Sequence, residues 1–105
     1  MSLRWPQSRQ RPHGFDAGEN ALNGEIASEK ASTLGRAGRF MEAALLRLED
    51  ATLIEHLGRE ALLREAADAV WQFLIQRDVV GLRDQAVVVR EYQIPRAVMV
   101  RIGVR

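Results

Sequence analysis

The chain has 105 residues, of which 47% are hydrophobic and 28% are charged, and its formal net charge is +1. These values are typical of one soluble globular domain and exclude a largely disordered chain. The absence of cysteine excludes disulfides and thiolate chemistry, and no apolar run approaches the roughly 18 residues that a membrane span needs. Because the N-terminus also lacks the apolar segment of a signal peptide, we expect a cytoplasmic, bacterial protein that does not bind membranes.

The small net charge hides a segregation of charge along the chain. Residues 1–15 carry +3, residues 16–68 carry −5 and residues 69–105 carry +3. Segments of opposite charge can attract one another within a chain or between chains, and a basic end can also contact nucleic acid.

The first predicted element is a flexible basic arm at residues 1–15, which contain two of the three prolines and no helical periodicity. Asp16 and Glu19 have the spacing of a capping box and predict that a helix starts near Ala17. Residues 16–105 are then expected to form a single helical domain.

A long first helix is predicted from Ala17 to Leu57, with Gly58 after its end. Small and apolar residues recur along it at spacings of 4, 3, 4, 3, 4, 3 and 4, the repeat of a coiled-coil seam. Gly35 and Gly38 either pack against a partner or mark a turn, and the unbroken repeat favours a continuous helix. The seam consists of Ala27, Ala31, Leu34, Gly38, Met41, Leu45, Leu48 and Thr52, with a second row beside it at Leu22, Ile26, Ala37, Ala44 and Ala51.

A second helix is predicted from about Glu60 to Val80, closed by Gly81. Its apolar residues cover more than one face, which a small monomer can hardly bury. This pattern predicts a homo-oligomer, a dimer or a tetramer. The residues predicted to mediate self-association are Leu34, Met41, Leu45, Leu48, Trp71 and Leu74.

The C-terminal stretch predicts two short helices around a turn at residues 92–94. Asp84 is a good N-cap for a helix that begins at Gln85, and Pro95 suits the start of another that runs toward Gly103. A β-hairpin of the valine-rich segments 87–89 and 98–100 is the alternative, but these segments do not alternate and no Asn-Gly or Asp-Gly turn joins them.

Two helices around a short turn also have the outline of a DNA-binding helix-turn-helix. Arg90, Arg96 and Arg101 could then contact phosphates, which makes nucleic-acid binding the alternative function. The apolar residues 97–100 favour core packing instead, because a recognition helix needs a polar outer face.

No segment predicts catalysis or metal binding. His56 and Glu60 have the spacing of two metal ligands, but a site needs one or two more. The carboxylate pairs fall on solvated helix faces rather than in a recognisable pocket. We therefore predict that the protein is not an enzyme, with no catalytic residue, metal, cofactor or small-molecule substrate.

The stretches SEKASTLGRAGRFMEAAL and GLRDQAVVVREYQIPRAVMVRIG resemble a group of short, uncharacterised helical proteins of proteobacteria, over roughly residues 20–103. The resemblance implies helices at the C-terminus and supplies no activity or site residue. The prediction is an all-α protein with a long N-terminal helix, a buried second helix and a short C-terminal helical pair. We expect self-association to complete the bundle and the protein to act as a structural or protein-interaction module.

Overall fold

The computed structural model describes the backbone of residues 13–103 and the side chains of residues 22–103. Within this part of the chain all regular structure is helical, so the all-α prediction is confirmed and the β-hairpin alternative is wrong. The helices are α1 (His13–Arg47), α2 (Ala51–Leu57), α3 (Arg59–Val79), α4 (Gln85–Glu91) and α5 (Arg96–Met99).

Close contacts group the chain into two units, residues 1–30 and residues 31–105. The predicted arm, residues 1–15, lies outside the described residues except for residues 13–15, which begin α1. The predicted division into an arm and a single domain stays a prediction. The first unit and the second unit below are these two groups of residues.

The prediction that α1 continues through Gly35 and Gly38 is confirmed, but its predicted ends are wrong. The helix begins at His13, before the predicted start, and it ends at Arg47 rather than at Leu57. The break has a local cause. The Asp50 carboxylate accepts hydrogen bonds from the backbone N–H groups of Thr52 (3.0 Å) and Leu53 (3.2 Å), so it caps a new helix, α2.

Helix α3 matches its prediction to within one residue at each end. Gly58 and Gly81 flank it with φ values of +86° and +90°, a conformation that other residues adopt only with strain. At the C-terminal end the Leu82 N–H donates to the Arg77 carbonyl oxygen at 2.8 Å, which closes the last turn.

The core of the second unit is built around α3, which contributes eight of its buried residues. Residues from α1, the turn after it, α4, α5 and the turn before α5 complete a single cluster with them. The wide apolar surface of α3 is therefore largely covered within one chain. The buried residues are Met41, Ala44, Leu48, Leu62, Leu63, Ala66, Ala67, Ala69, Val70, Phe73, Leu74, Val88, Ile94 and Val98.

Gly38 lets α1 approach the aromatic part of this core closely. A Cβ atom at position 38 would lie 3.1 Å from Cε1 of Phe73, so a larger residue would push against the ring. The Phe73 ring also meets the Tyr92 ring edge to face at 5.6 Å and lies under the Arg77 guanidinium at 5.8 Å. Phe73 thus joins α1, α3 and the end of α4.

The C-terminal helical pair forms as predicted, although its second helix is short. The Asp84 carboxylate accepts a hydrogen bond from the Ala86 N–H at 3.1 Å and caps α4. Gln93, with φ of +52°, lies in the turn between α4 and α5. Val88 and Val98 are fully buried, but α5 ends at Met99 and does not continue toward Gly103.

Candidate self-association surface

The six residues predicted to mediate self-association have different surroundings. Met41, Leu48 and Leu74 are buried in the chain's own core, and Leu34 and Leu45 pack half-buried against it. Trp71 alone among the six is exposed, at 37%. From residue 34 to residue 48 the predicted seam therefore faces helices of its own chain. Self-association through these residues stays a prediction.

In the first unit, every described side chain of α1 is exposed, from residue 22 to residue 30. Two of these side chains are large and apolar: Leu22 is 57% exposed and Ile26 is 46% exposed. Helices in proteins gain most of their stability from packing of an apolar face against other elements. This stretch consequently has the properties of a helix that needs a partner.

In the second unit, α1 carries two further exposed apolar side chains, Phe40 at 64% and Leu46 at 67%. Neither was predicted to lie on an interaction surface. Leu46 and the half-buried Leu45 line a groove of about 540 Å³ beside the turn between α4 and α5. The carboxylates at the edge of this groove, Glu42, Glu49 and Glu91, are exposed.

Trp71 contributes to a separate, smaller groove of about 360 Å³ at the C-terminal end of α3. Its apolar lining includes Val79 and Leu82, which are 51% and 47% exposed. Arg83 and Asp78 border it and pair with each other at 2.7 Å, so their charges offset one another. Arg77 also lines the groove, so its lining combines apolar side chains with one net positive charge.

Of the three arginines predicted for phosphate contact, Arg90 and Arg96 are exposed, whereas Arg101 is held by Glu60. Arg101 Nη2 lies 2.7 Å from Glu60 Oε1 and Nε lies 2.9 Å from Oε2. This pair joins the C-terminal end of the described chain to the start of α3. The hydrogen bonds from Arg101 lower the pKa of Glu60 below its ordinary 4.5, and the same bonds raise the pKa of Arg101.

The remaining candidate ligand identified in the sequence, His56, lies on α2. His56 Nδ1 lies 2.9 Å from the Thr52 carbonyl oxygen of its own helix. Among the described residues, no three His, Asp or Glu side chains are grouped as metal ligands, and no helix is long and apolar enough to cross a membrane.

The whole sequence, residues 1–105, matches the model of a family of unknown function, DUF6665. The chain belongs to this family. The resemblance to uncharacterised proteins is confirmed at this level, and their proteobacterial origin stays a prediction. No curated protein and no solved structure matches this DUF6665 member significantly.

Proposed function

We propose that this DUF6665 protein is a structural or protein-interaction module that self-associates through α1. The observation that carries the proposal is that the apolar side chains of α3 are largely buried, whereas those described in the first unit are exposed. The apolar surface of α3 is covered within one chain, whereas Leu22 and Ile26 are exposed on a helix in which every described neighbour up to Lys30 is exposed as well. Burial of those two side chains by another copy would supply the packing that this part of α1 lacks.

The proposal places the association surface on other residues than the sequence predicted. Trp71 stays exposed enough to contribute, but Met41, Leu48 and Leu74 stabilise the fold of each chain. Substituting those three residues would unfold the protein, and would not distinguish an interface from a core.

The test is the solution mass of the purified protein by size-exclusion chromatography with light scattering. We expect wild type to elute as a dimer or larger multiple of 11.8 kDa. The double variant Leu22→Glu/Ile26→Glu should shift to the monomer mass, because it would bring carboxylates into an apolar contact. It should keep the unfolding transition of the second unit.

Leu46→Glu is the matched control, since Leu46 is also an exposed leucine of α1. It should keep the wild-type mass. A wild-type protein that is monomeric at every concentration tested would overturn the proposed function.

Nucleic-acid binding remains the alternative, supported by the observed pair of short C-terminal helices with Arg90 and Arg96 exposed. Two features weigh against it: α5 has four residues, and Arg101 pairs with Glu60. Duplex DNA binding that weakens steeply with salt would favour this alternative, and an absence of binding at low salt would exclude it.

A further inference from the structure

The groove beside the turn between α4 and α5 lies wholly within the second unit and has an apolar lining. Leu45, Leu46 and Leu48 contribute from the C-terminal end of α1 and the turn after it, and Tyr92 and Pro95 contribute from the turn before α5. Leu46 is 67% exposed, and Leu45 and Tyr92 are half-buried, so an occupant would find apolar area to cover. This groove is called the α1 groove below.

The carboxylates that line the α1 groove have no partner within the described part of the chain. The second unit contains ten acidic residues, and six of these take part in hydrogen bonds, ion pairs or other electrostatic interactions. The remaining four are Glu42, Glu49, Glu55 and Glu91, and all except Glu55 line the groove. The six that interact are Asp50, Glu60, Glu65, Asp68, Asp78 and Asp84.

The charge of the α1 groove is negative. Among its described lining residues Arg59 is the one basic side chain, so three carboxylates and one guanidinium give a formal charge of −2. Arg90 and Arg96 are close to the groove in sequence but do not line it. Because carboxylates repel phosphates, this lining disfavours nucleic acids and anionic lipid surfaces as occupants.

Lysine and arginine side chains have the complementary chemistry. Their aliphatic stems can cover an apolar side chain such as Leu46 while their charged ends reach carboxylates at the edge of the groove. In an amphipathic segment such side chains flank an apolar row, which matches an apolar lining with acidic edges. The unpartnered carboxylates Glu42, Glu49 and Glu91 would gain ion pairs without giving up existing ones.

We propose that the α1 groove binds a basic amphipathic segment of another protein. Apolar side chains of that segment cover Leu46 and Tyr92. Its lysine or arginine side chains pair with the carboxylates of Glu42, Glu49 and Glu91.

This inference goes beyond the proposed self-association and does not depend on it. The proposed association surface is Leu22 and Ile26, and neither residue lines the α1 groove. The groove therefore gives the chain a binding surface for a second kind of partner.

The first test uses two synthetic peptides and the full-length protein. Both are fluorescently labelled, helical and about 14 residues long, or roughly four turns, with leucines at spacings of three and four. One has lysine at its other positions and the second has glutamate there. Fluorescence anisotropy should show that the lysine peptide binds at least about tenfold more tightly than the glutamate peptide. Equal binding of the two peptides, or no binding of the lysine peptide, would overturn the inference.

Charge removal tests which carboxylates hold the lysine peptide. The triple variant Glu42→Gln/Glu49→Gln/Glu91→Gln should raise its Kd by roughly tenfold, because three exposed ion pairs are lost. Glu55→Gln is the matched control, since Glu55 is also exposed and unpartnered but does not line the groove. It should leave the Kd unchanged. A triple variant that binds like wild type, or a Glu55→Gln variant that loses as much, would contradict binding in the groove.

The apolar lining is tested at an exposed leucine, so that the fold is kept. Leu46→Ala should raise the Kd for the lysine peptide by roughly threefold to tenfold, because apolar contact area is lost. Leu57→Ala is its control, since Leu57 is 51% exposed and lies outside the groove. Equal Kd values for these two variants would mean that the peptide does not contact the groove's apolar lining, which the inference requires.

Light scattering on the triple variant distinguishes a partner protein from a second copy. The triple variant should keep the wild-type mass. A shift to a smaller mass would show that another copy occupies the α1 groove and would overturn the inference of a different partner. A wild-type protein that is monomeric and binds the lysine peptide would overturn the proposed self-association and leave this inference standing.

Discussion

Two parts of the chain carry large apolar side chains in opposite surroundings. In the first unit, Leu22 and Ile26 are exposed together with every described neighbour up to Lys30. In the second unit, Met41 and Ala44 of α1, and Leu48 just after its end, are buried in the core of that unit. Periodicity therefore identifies a helix face that can be buried, but it does not say what buries it.

The same contrast separates Phe40 and Phe73, the two phenylalanines whose side chains the structure describes. Phe73 is 5% exposed and contacts Tyr92 and Arg77, whereas Phe40 is 64% exposed on α1. One ring is packed in the core of a single chain, and the other is exposed to solvent. Substitutions at the two positions should consequently differ in their effect on the stability of the single chain.

The largest expected effect is that of Phe73→Ala, which should lower the free energy of unfolding by about 3–5 kcal/mol, because it empties a packed aromatic site. Phe40→Ala should change it by less than about 0.5 kcal/mol in a monomer, since the ring is exposed. Urea denaturation followed by far-UV circular dichroism gives both values. The Leu22→Glu/Ile26→Glu background removes any contribution from self-association.

Equal losses for the two phenylalanines would break the comparison, because they would mean that Phe40 also supports the fold of the single chain. A stabilising effect of Phe40→Ala in that background would be consistent with removal of exposed apolar surface.

A smaller difference in the free energy of unfolding is expected between alanine variants at two glycines of α1. Alanine should gain up to about 1 kcal/mol over glycine in a helix interior, and Gly35→Ala should show this gain because its new Cβ meets only the mobile end of Arg39, at 3.4 Å. Gly38→Ala should lose this gain in stability, since its Cβ would lie 3.1 Å from the packed Phe73 ring. We expect the two variants to differ by about 1–2 kcal/mol in unfolding free energy.

Thermal or urea unfolding of both variants side by side measures this difference. If Gly38→Ala is as stable as Gly35→Ala, then Phe73 can move aside and the close approach of α1 to the core is not needed. Gly24→Ala extends the series, because no described atom lies within 4 Å of its added Cβ.

Much of the fold could be predicted from the sequence, because local chemistry sets the helix ends. Asp84 caps α4, and Gly58 and Gly81 adopt the positive φ that their places require. The end of α1 was missed because an unbroken heptad row runs past Arg47. The Asp50 cap, which ends that helix, is a single residue that competes with the row.

The candidate surface could be predicted only in part. The apolar seam was visible, but its burial within the chain depends on where α3 packs, a tertiary fact that spacing does not contain. Phe40 was missed because it lies outside the predicted seam, and its exposure depends on where the other helices of the second unit pack.

The smallest expected effect concerns the ion pair between Glu60 and Arg101, which joins the start of α3 to the residues after α5. The pKa of Glu60 is lowered below 4.5 in the folded protein, first by the hydrogen bonds from Arg101. Its carboxylate therefore contributes stability that is present above about pH 4.5 and is lost as the pH falls through the lowered value. The Glu60→Gln variant should melt at a lower temperature than wild type near neutral pH, and the two melting temperatures should converge in acid.

Asp78→Asn is the matched control, since Asp78 pairs with Arg83 five residues along the chain and does not join distant elements. Because both side chains of this pair are mostly exposed, at 62% and 78%, its loss should change the melting temperature less than Glu60→Gln does. A Glu60→Gln variant that differs from wild type equally at neutral and acidic pH would show that packing, and not the charge of Glu60, holds the chain end on α3.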